Sequence, residues 1–259
     1  MFYDISFTTL LFLICAAFCA GLIDSMAGGG GLIQLPALII GLPNKELPLI
    51  LGTNKVPSAF GTTAAARNYF KNLKPDIPLT LTMMIPAFIG SIGGAYFAAS
   101  VPKEFFKPFI VFLLIAVVIY TWFKPELGMD EKLKFTHKKR LFLVGLIGLL
   151  IGFYDGIFGP GTGTFLVFFL VSGIGYAFLK ASGTAKLVNL STNIGAILSF
   201  QITGHIWWQL GLMLAIANVT GAIIGSKLAI KGGSPLVRKV FLIVTTLLIA
   251  RVAWDTFIS

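Results

Sequence analysis

The carboxylates and lysines that lie deep inside apolar stretches of this chain come in matched sets, Asp24 with Asp155 and Lys55 with Lys186, each 131 positions apart. Charge is costly in hydrocarbon surroundings, so such side chains mark an ion or substrate path by default. Lys55 is followed by Ser58 and Thr62, and Lys186 by Asn189 and Asn193. The spacings i, i+3 and i+7 place each set on one helix face. Ammonium groups among neutral hydrogen-bonding side chains suit a small oxyanion better than a cation or an apolar solute.

Each aspartate precedes a glycine-rich break, Gly28-Gly29-Gly30-Gly31 after Asp24 and Gly159-Pro160-Gly161-Thr162-Gly163 after Asp155. Glycine destabilises a helix interior, so the helix stops at such a run. A helix restarting beyond it points unpaired amides and the positive end of its dipole into the protein, ready for an anion. The expected binding set follows. Lys55 and Lys186 attract the anion, and Thr53, Asn54, Ser58, Thr184 and Asn189 orient it. The amides around Gly28, Gly29, Gly30, Gly159 and Gly161 complete its shell. Asp24 and Asp155 have two open roles, neutralising the lysines in an empty site or taking up protons coupled to transport. Burial and a neighbouring lysine act on a carboxyl in opposite directions, so sequence alone does not choose between them. The paired residues read as two half-sites facing opposite membrane surfaces, made unequal by Asn54, Pro160 and Asn189.

The elements that position these residues follow from the same 131-residue shift, which runs without a gap. Gly52-Thr53-Asn54-Lys55 falls on Gly183-Thr184-Ala185-Lys186, and Gly90 and Gly94 fall on Gly221 and Gly225. A repeat of this length is a whole helical bundle, and internal duplication in a hydrophobic chain is a mark of secondary transporters. With 56% hydrophobic residues and a mean hydropathy of +0.91, the chain exceeds what a soluble core of 259 residues could bury. The expected fold is an all-α integral membrane protein of two inverted-topology repeats with about five hydrophobic segments each, some short or re-entrant. The segments run over about 6–26, 32–42, 47–66, 77–99 and 105–123, then about 141–158, 162–178, 182–203, 206–229 and 235–257. The stretch Leu32 to Leu42 is too short to cross alone. Residues 1–123 form the first membrane repeat, 124–140 a polar linker and 141–259 the second repeat. The glycine pairs Gly90/Gly94 and Gly221/Gly225 read as close helix packing, and Asn218 as an interhelical bond.

An odd number of crossings per half inverts the second half, and loop charge agrees. With the linker cytoplasmic, fourteen of the 20 basic residues fall on the cytoplasmic side, against Lys45, Lys103 and Lys107 on the other. Both termini are then outside. The net charge of +10 is scattered over short loops beside lipid headgroups, so nucleic acid is not the expected partner. The first apolar stretch lacks a basic start and has an internal counterpart, which makes it a structural helix rather than a cleaved leader. Cys15 and Cys19 read as packing residues. His137 and His205 have no partner at ligand spacing, so no metal or other cofactor is expected. Catalysis lacks a nucleophile with a base, so the chain is read as a non-enzyme.

The runs Gly21-Leu22-Ile23-Asp24-Ser25-Met26-Ala27-Gly28-Gly29-Gly30-Gly31, Thr53-Asn54-Lys55 and Gly152-Phe153-Tyr154-Asp155-Gly156-Ile157-Phe158-Gly159-Pro160 closely resemble the TauE/SafE sulfite exporter family over almost the whole chain. The resemblance implies a multi-pass transporter of the bacterial inner membrane. It would carry small sulfur-containing anions such as sulfite, sulfonates or sulfoacetate, generally outward. It also implies that the glycine breaks and the threonine-lysine segments form the substrate region. The expected function is export by alternating access. A passive anion channel and a non-transporting membrane sensor are the alternatives. The expected partners are the anion and the lipid bilayer, with coupling to protons as one open option. The coupling ion and the oligomeric state are left open by the sequence, a homodimer being one option.

Overall fold

The computed structural model describes residues 5–98, 119, 121–123 and 126–257, with side chains described as far as Leu247 and at Ala250. Every regular element among these residues is a helix. Helix α1 covers Phe7–Ala27 and α2 Gly31–Gly41, followed by α3 over Leu47–Asn72 and α4 over Ile77–Phe97. In the second half, α5 covers His137–Ile157 and α6 Thr162–Phe168, which continues as a π-helical turn through Phe169–Ile174. Helix α7 covers Phe178–Ile202, and α8 runs from Trp208 to Phe257 with a break at Gly233, where φ is 64°. The break and Pro235 beside it divide α8 into the two segments read from the sequence. The segment 105–123 lies outside the described residues apart from 119 and 121–123, as do Lys103, Lys107, Lys124 and Pro125.

Local chemistry accounts for the boundaries. The Ser6 hydroxyl accepts the Thr9 N–H at the start of α1, and Asp76 accepts the Leu79 N–H at the start of α4. Helices α1, α4, α5 and α8 are long and apolar enough to cross a membrane. At 21 residues, α1, α4 and α5 each reach about 31 Å at 1.5 Å per residue. Helix α2, with 11 residues, reaches only about 16 Å. The segment after the second break is short as well, because its α-helical part stops at Phe168 and the π turn ends at Gly175 in the left-handed region. Exposed faces are themselves apolar, as at Ile85, Ile89, Phe142, Leu150 and Ile216, which suits contact with lipid. Cys15 and Cys19 are free thiols on the exposed face of α1. This corrects their reading as packing residues: one helical turn apart, they share the face turned away from the bundle.

Packing repeats with the sequence. Helix α1 lies along the first arm of α8 and α5 lies along α4; α3 meets α8 as α7 meets α4, and α3 and α7 meet each other. Glycines set the closest approaches. A Cβ on Gly90 would sit 2.3 Å from the Leu149 carbonyl oxygen, and one on Gly221 would sit 2.1 Å from that of Phe18. Gly94 and Gly225 face the carbonyls of Phe153 and Leu22 in the same way. These are positions related by the shift, so the glycine pairs serve close packing. Residues 126–136 form a strap tied to the second half, with Lys132 and Lys134 donating their N–H groups to the carbonyls of Gly175 and Ile174. Helix α5 then starts at His137.

Candidate functional site

Polar residues from both halves converge where the two glycine breaks pass each other. Gly28 adopts φ 82°, and a Cβ there would fall 2.3 Å from the Gly163 carbonyl carbon, so the backbones cross in direct contact. Gly159 also has a positive φ, 87°, and a Cβ on it would lie 2.9 Å from Lys55 Nζ. Only a bare backbone lets the lysine reach the second break.

The lysines and aspartates pair across the halves. Lys55 Nζ lies 2.8 Å from Asp155 Oδ2 and donates to the Asp155 carbonyl oxygen at 2.7 Å. Lys186 Nζ lies 2.7 Å from Asp24 Oδ2. The second oxygen of each carboxylate is held by its own half. Asp24 Oδ1 accepts the Gly30 N–H at 3.1 Å, and Asp155 Oδ1 accepts the Thr162 hydroxyl at 2.8 Å. Each aspartate thus ties the start of its own half's restarted helix to the other half's lysine. The sequence reading left the aspartates two roles, and the geometry sets each carboxylate against an ammonium of the other half.

The pairs are unequal in access. The Lys55 and Asp155 side chains are 5% and 3% exposed, whereas Lys186 is fully buried and Asp24 is 20% exposed. Two lysines and two carboxylates leave this centre without net charge.

Beside the pairs is a cavity of about 30 Å³, room for about two waters. Asp24, Lys55 and Asp155 line it together with Asn54, Ser58 and Asn189. Gly29, Gly30, Gly159 and Gly161 line it too. The residues assigned by sequence to two half-sites on opposite surfaces therefore share one cavity. Its buried amides have spare capacity, since Asn54 Oδ1 and Asn193 Nδ2 meet no partner among the described residues. Ser58 is committed to the Asn54 carbonyl oxygen. The amide of Gly30 is already taken by Asp24, so part of the anion-binding potential of α2 is met by the protein itself.

Four expected site residues stand apart from the cavity lining. The Thr53 hydroxyl accepts the Trp207 N–H at 2.9 Å. The Thr184 hydroxyl is buried without a partner among the described residues, beside a separate small cavity near Tyr69 and Leu73. Gly28 is spent on the crossing of the breaks, and Lys186 reaches the site through Asp24. The expected binding set left out Thr162, Gly163 and Gly31, and Gln34 was not foreseen as the partner of Asn218. Asn218 Nδ2 donates to Gln34 Oε1 at 2.8 Å, which makes the expected interhelical bond, and Asn218 also lines the cavity. Thr162 could have been found from the repeat, because it replaces Gly31 next to an invariant-spaced aspartate.

Comparison with known proteins adds a family. A family model described as sulfite exporter TauE/SafE matches residues 13–252. A probable membrane transporter protein, ORF9, of Sinorhizobium sp is 38% identical over 258 residues, covering 97% of this chain and 95% of the relative. A probable membrane transporter protein of Haemophilus influenzae is 33% identical, with 97% of each chain covered. The probable membrane transporter protein YfcA of Escherichia coli K12 is 33% identical over 94% of this chain and 89% of its own length. No solved structure matches the chain significantly.

Proposed function

The chain belongs to the TauE/SafE sulfite exporter family of membrane transporters, and we propose that it is a secondary carrier exporting small sulfur-containing oxyanions such as sulfite, sulfonates or sulfoacetate. The observation that carries this reading is the pair of ion bridges, each joining one half's lysine to the other half's aspartate around a shared cavity. A substrate oxyanion entering there competes with a carboxylate for an ammonium, so its arrival loosens a bond between the halves. That links binding to relative movement of the halves, the requirement of alternating access. Lys55 and Lys186 supply charge, and Asn54, Asn189 and Asn193 supply neutral donors and acceptors.

The reciprocal packing of α1 on α8 and α5 on α4 supports two repeats of inverted topology. With loop charge, it supports an inner-membrane protein with residues 124–140 cytoplasmic and both termini periplasmic. The small cavity and its mutually bonded charges favour an occluded carrier site over an open anion pore. The test is uptake and counterflow of labelled sulfonate in proteoliposomes. Lys55→Met and Lys186→Met should each abolish both; full activity in both variants rejects the site.

A further inference from the structure

We infer that the carried anion moves with one proton, which resides on Asp24. The inference rests on the carrier reading above and concerns what drives it.

The empty centre is neutral, since each lysine is matched by the other half's aspartate. A monovalent anion entering alone would leave one uncompensated negative charge in a buried site, an arrangement that proteins avoid by changing protonation. One proton added with the anion restores neutrality and releases one ammonium to bond it.

The geometry selects which carboxylate takes that proton. Asp24 is 20% exposed and lines the cavity, so both water and substrate reach it. Its oxygen Oδ1 holds the Gly30 N–H, an acceptor role that a protonated carboxyl retains through its carbonyl oxygen. Among the described residues the Lys186 side chain is bonded only to Asp24 Oδ2, and protonation of that oxygen frees it for the anion. Asp155 is differently placed. Its side chain is 3% exposed, and Lys55 would stay attached through the Asp155 carbonyl oxygen even without the carboxylate charge. The titratable and charged groups near Asp24 are Lys186 from α7, Lys55 and the Tyr69 hydroxyl from α3, and Asp155 from α5. The cavity-lining residues from α6 and α8 are Thr162, Gly163 and Asn218, all uncharged. An Asp24–Lys186 pair that opens while Asp155–Lys55 stays closed gives the two bridges separate tasks.

The test uses the full chain in proteoliposomes with labelled methanesulfonate and a trapped pH dye. Methanesulfonate stays ionised throughout the working pH range, so any proton entering with it must ride on the protein. In the wild type, influx should acidify the lumen with one proton per anion. An inside-alkaline step of one pH unit should support up to about tenfold accumulation, and an imposed membrane potential should leave the flux unchanged. Asp24→Asn should lose the pH-driven accumulation, and the flux it keeps should follow an inside-positive potential. Asp24→Glu should restore the pH drive. Wild-type flux that follows potential without lumenal acidification overturns the inference while leaving the carrier standing. So does obligatory exchange without net uptake. Retention of pH-driven accumulation by Asp24→Asn, or failure of Asp24→Glu to restore it, overturns the assignment to Asp24. Absence of both uptake and counterflow in the wild type rejects the sulfonate-carrier reading, and the coupling with it.

Discussion

Replacing Lys55 by methionine should destabilise the protein more than the same change at Lys186, although the two lysines occupy equivalent places in the repeat. Each ammonium sits under 3 Å from its carboxylate, at 2.8 and 2.7 Å. At an effective dielectric of 20 the attraction is about 6 kcal/mol in either pair. The desolvation of both partners offsets much of that, and removal of one partner from a buried pair costs about 3–5 kcal/mol because the other is stranded. Lys55→Met strands Asp155, whose side chain is 3% exposed and keeps only the Thr162 hydroxyl. That variant belongs at the upper end of the range. Lys186→Met strands Asp24, which keeps the Gly30 N–H and whose side chain is 20% exposed, so it belongs at or below the lower end.

Thermal unfolding in detergent, followed by the fluorescence of the 4 tryptophans, measures the difference. A kcal/mol corresponds to about 2–4 °C for a chain near this size, so Lys55→Met should lower the midpoint by roughly 10–20 °C. The decisive measurement is a double-mutant cycle. Lys55→Met combined with Asp155→Asn should recover most of the loss, whereas combination with Asp24→Asn should deepen it. Recovery by Asp24→Asn instead would place each lysine on its own half's aspartate and refute the cross-bridged geometry.

Three other outcomes follow from particular contacts. Gly90→Ala and Gly221→Ala each push a methyl into a facing carbonyl and should cost about 1–3 kcal/mol, whereas Gly145→Ala, whose Cβ would meet nothing closer than 3.7 Å, should be neutral or stabilising in the same unfolding assay. Thr53→Val removes the acceptor of the Trp207 N–H and should cost about 1–3 kcal/mol, while Thr184→Val, which removes a buried hydroxyl without a partner, should leave the midpoint unchanged or raise it. With Cys15 and Cys19 replaced by serine, a cysteine at Gly204 should react with an impermeant maleimide on intact cells, and one at Lys132 only after permeabilisation; the reverse pattern would invert the proposed orientation.

The repeat, the helix boundaries and the close glycine contacts were legible in the sequence because each depends on local spacing. Gly90 and Gly221 announce a close approach whatever helix they meet. The pairing of charges was not legible in that way. The 131-residue shift says that Lys55 corresponds to Lys186, but it does not say which aspartate either lysine meets. That depends on α5 lying against α4 and on Gly159 leaving room for the Lys55 ammonium. The same limit explains the misplaced threonines. Thr53 and Thr184 precede their lysines by two residues, which on a helix turns them away from the lysine face toward the neighbouring loops. Thr162 escaped notice for the opposite reason, since its chemistry lies in the departure from the repeat rather than in agreement with it.

In the carrier reading proposed above, departures from the repeat bear on the transport cycle too. A Cβ on Gly52 would lie 2.1 Å from the His205 carbonyl oxygen, and Thr53 beside it holds the Trp207 N–H. At the equivalent Gly183 the nearest atom is Tyr69 Cβ at 3.3 Å, Thr184 beside it is unbonded, and a small cavity lies between α3 and α7. Equivalent seals are therefore tight at one end and slack at the other, although they are built from the same Gly-Thr pair. An exchange of these two arrangements would convert the structure into its mirror setting without altering the central bridges' partners. A carrier needs two seals of that kind that are never tight or slack together, whereas a pore needs neither.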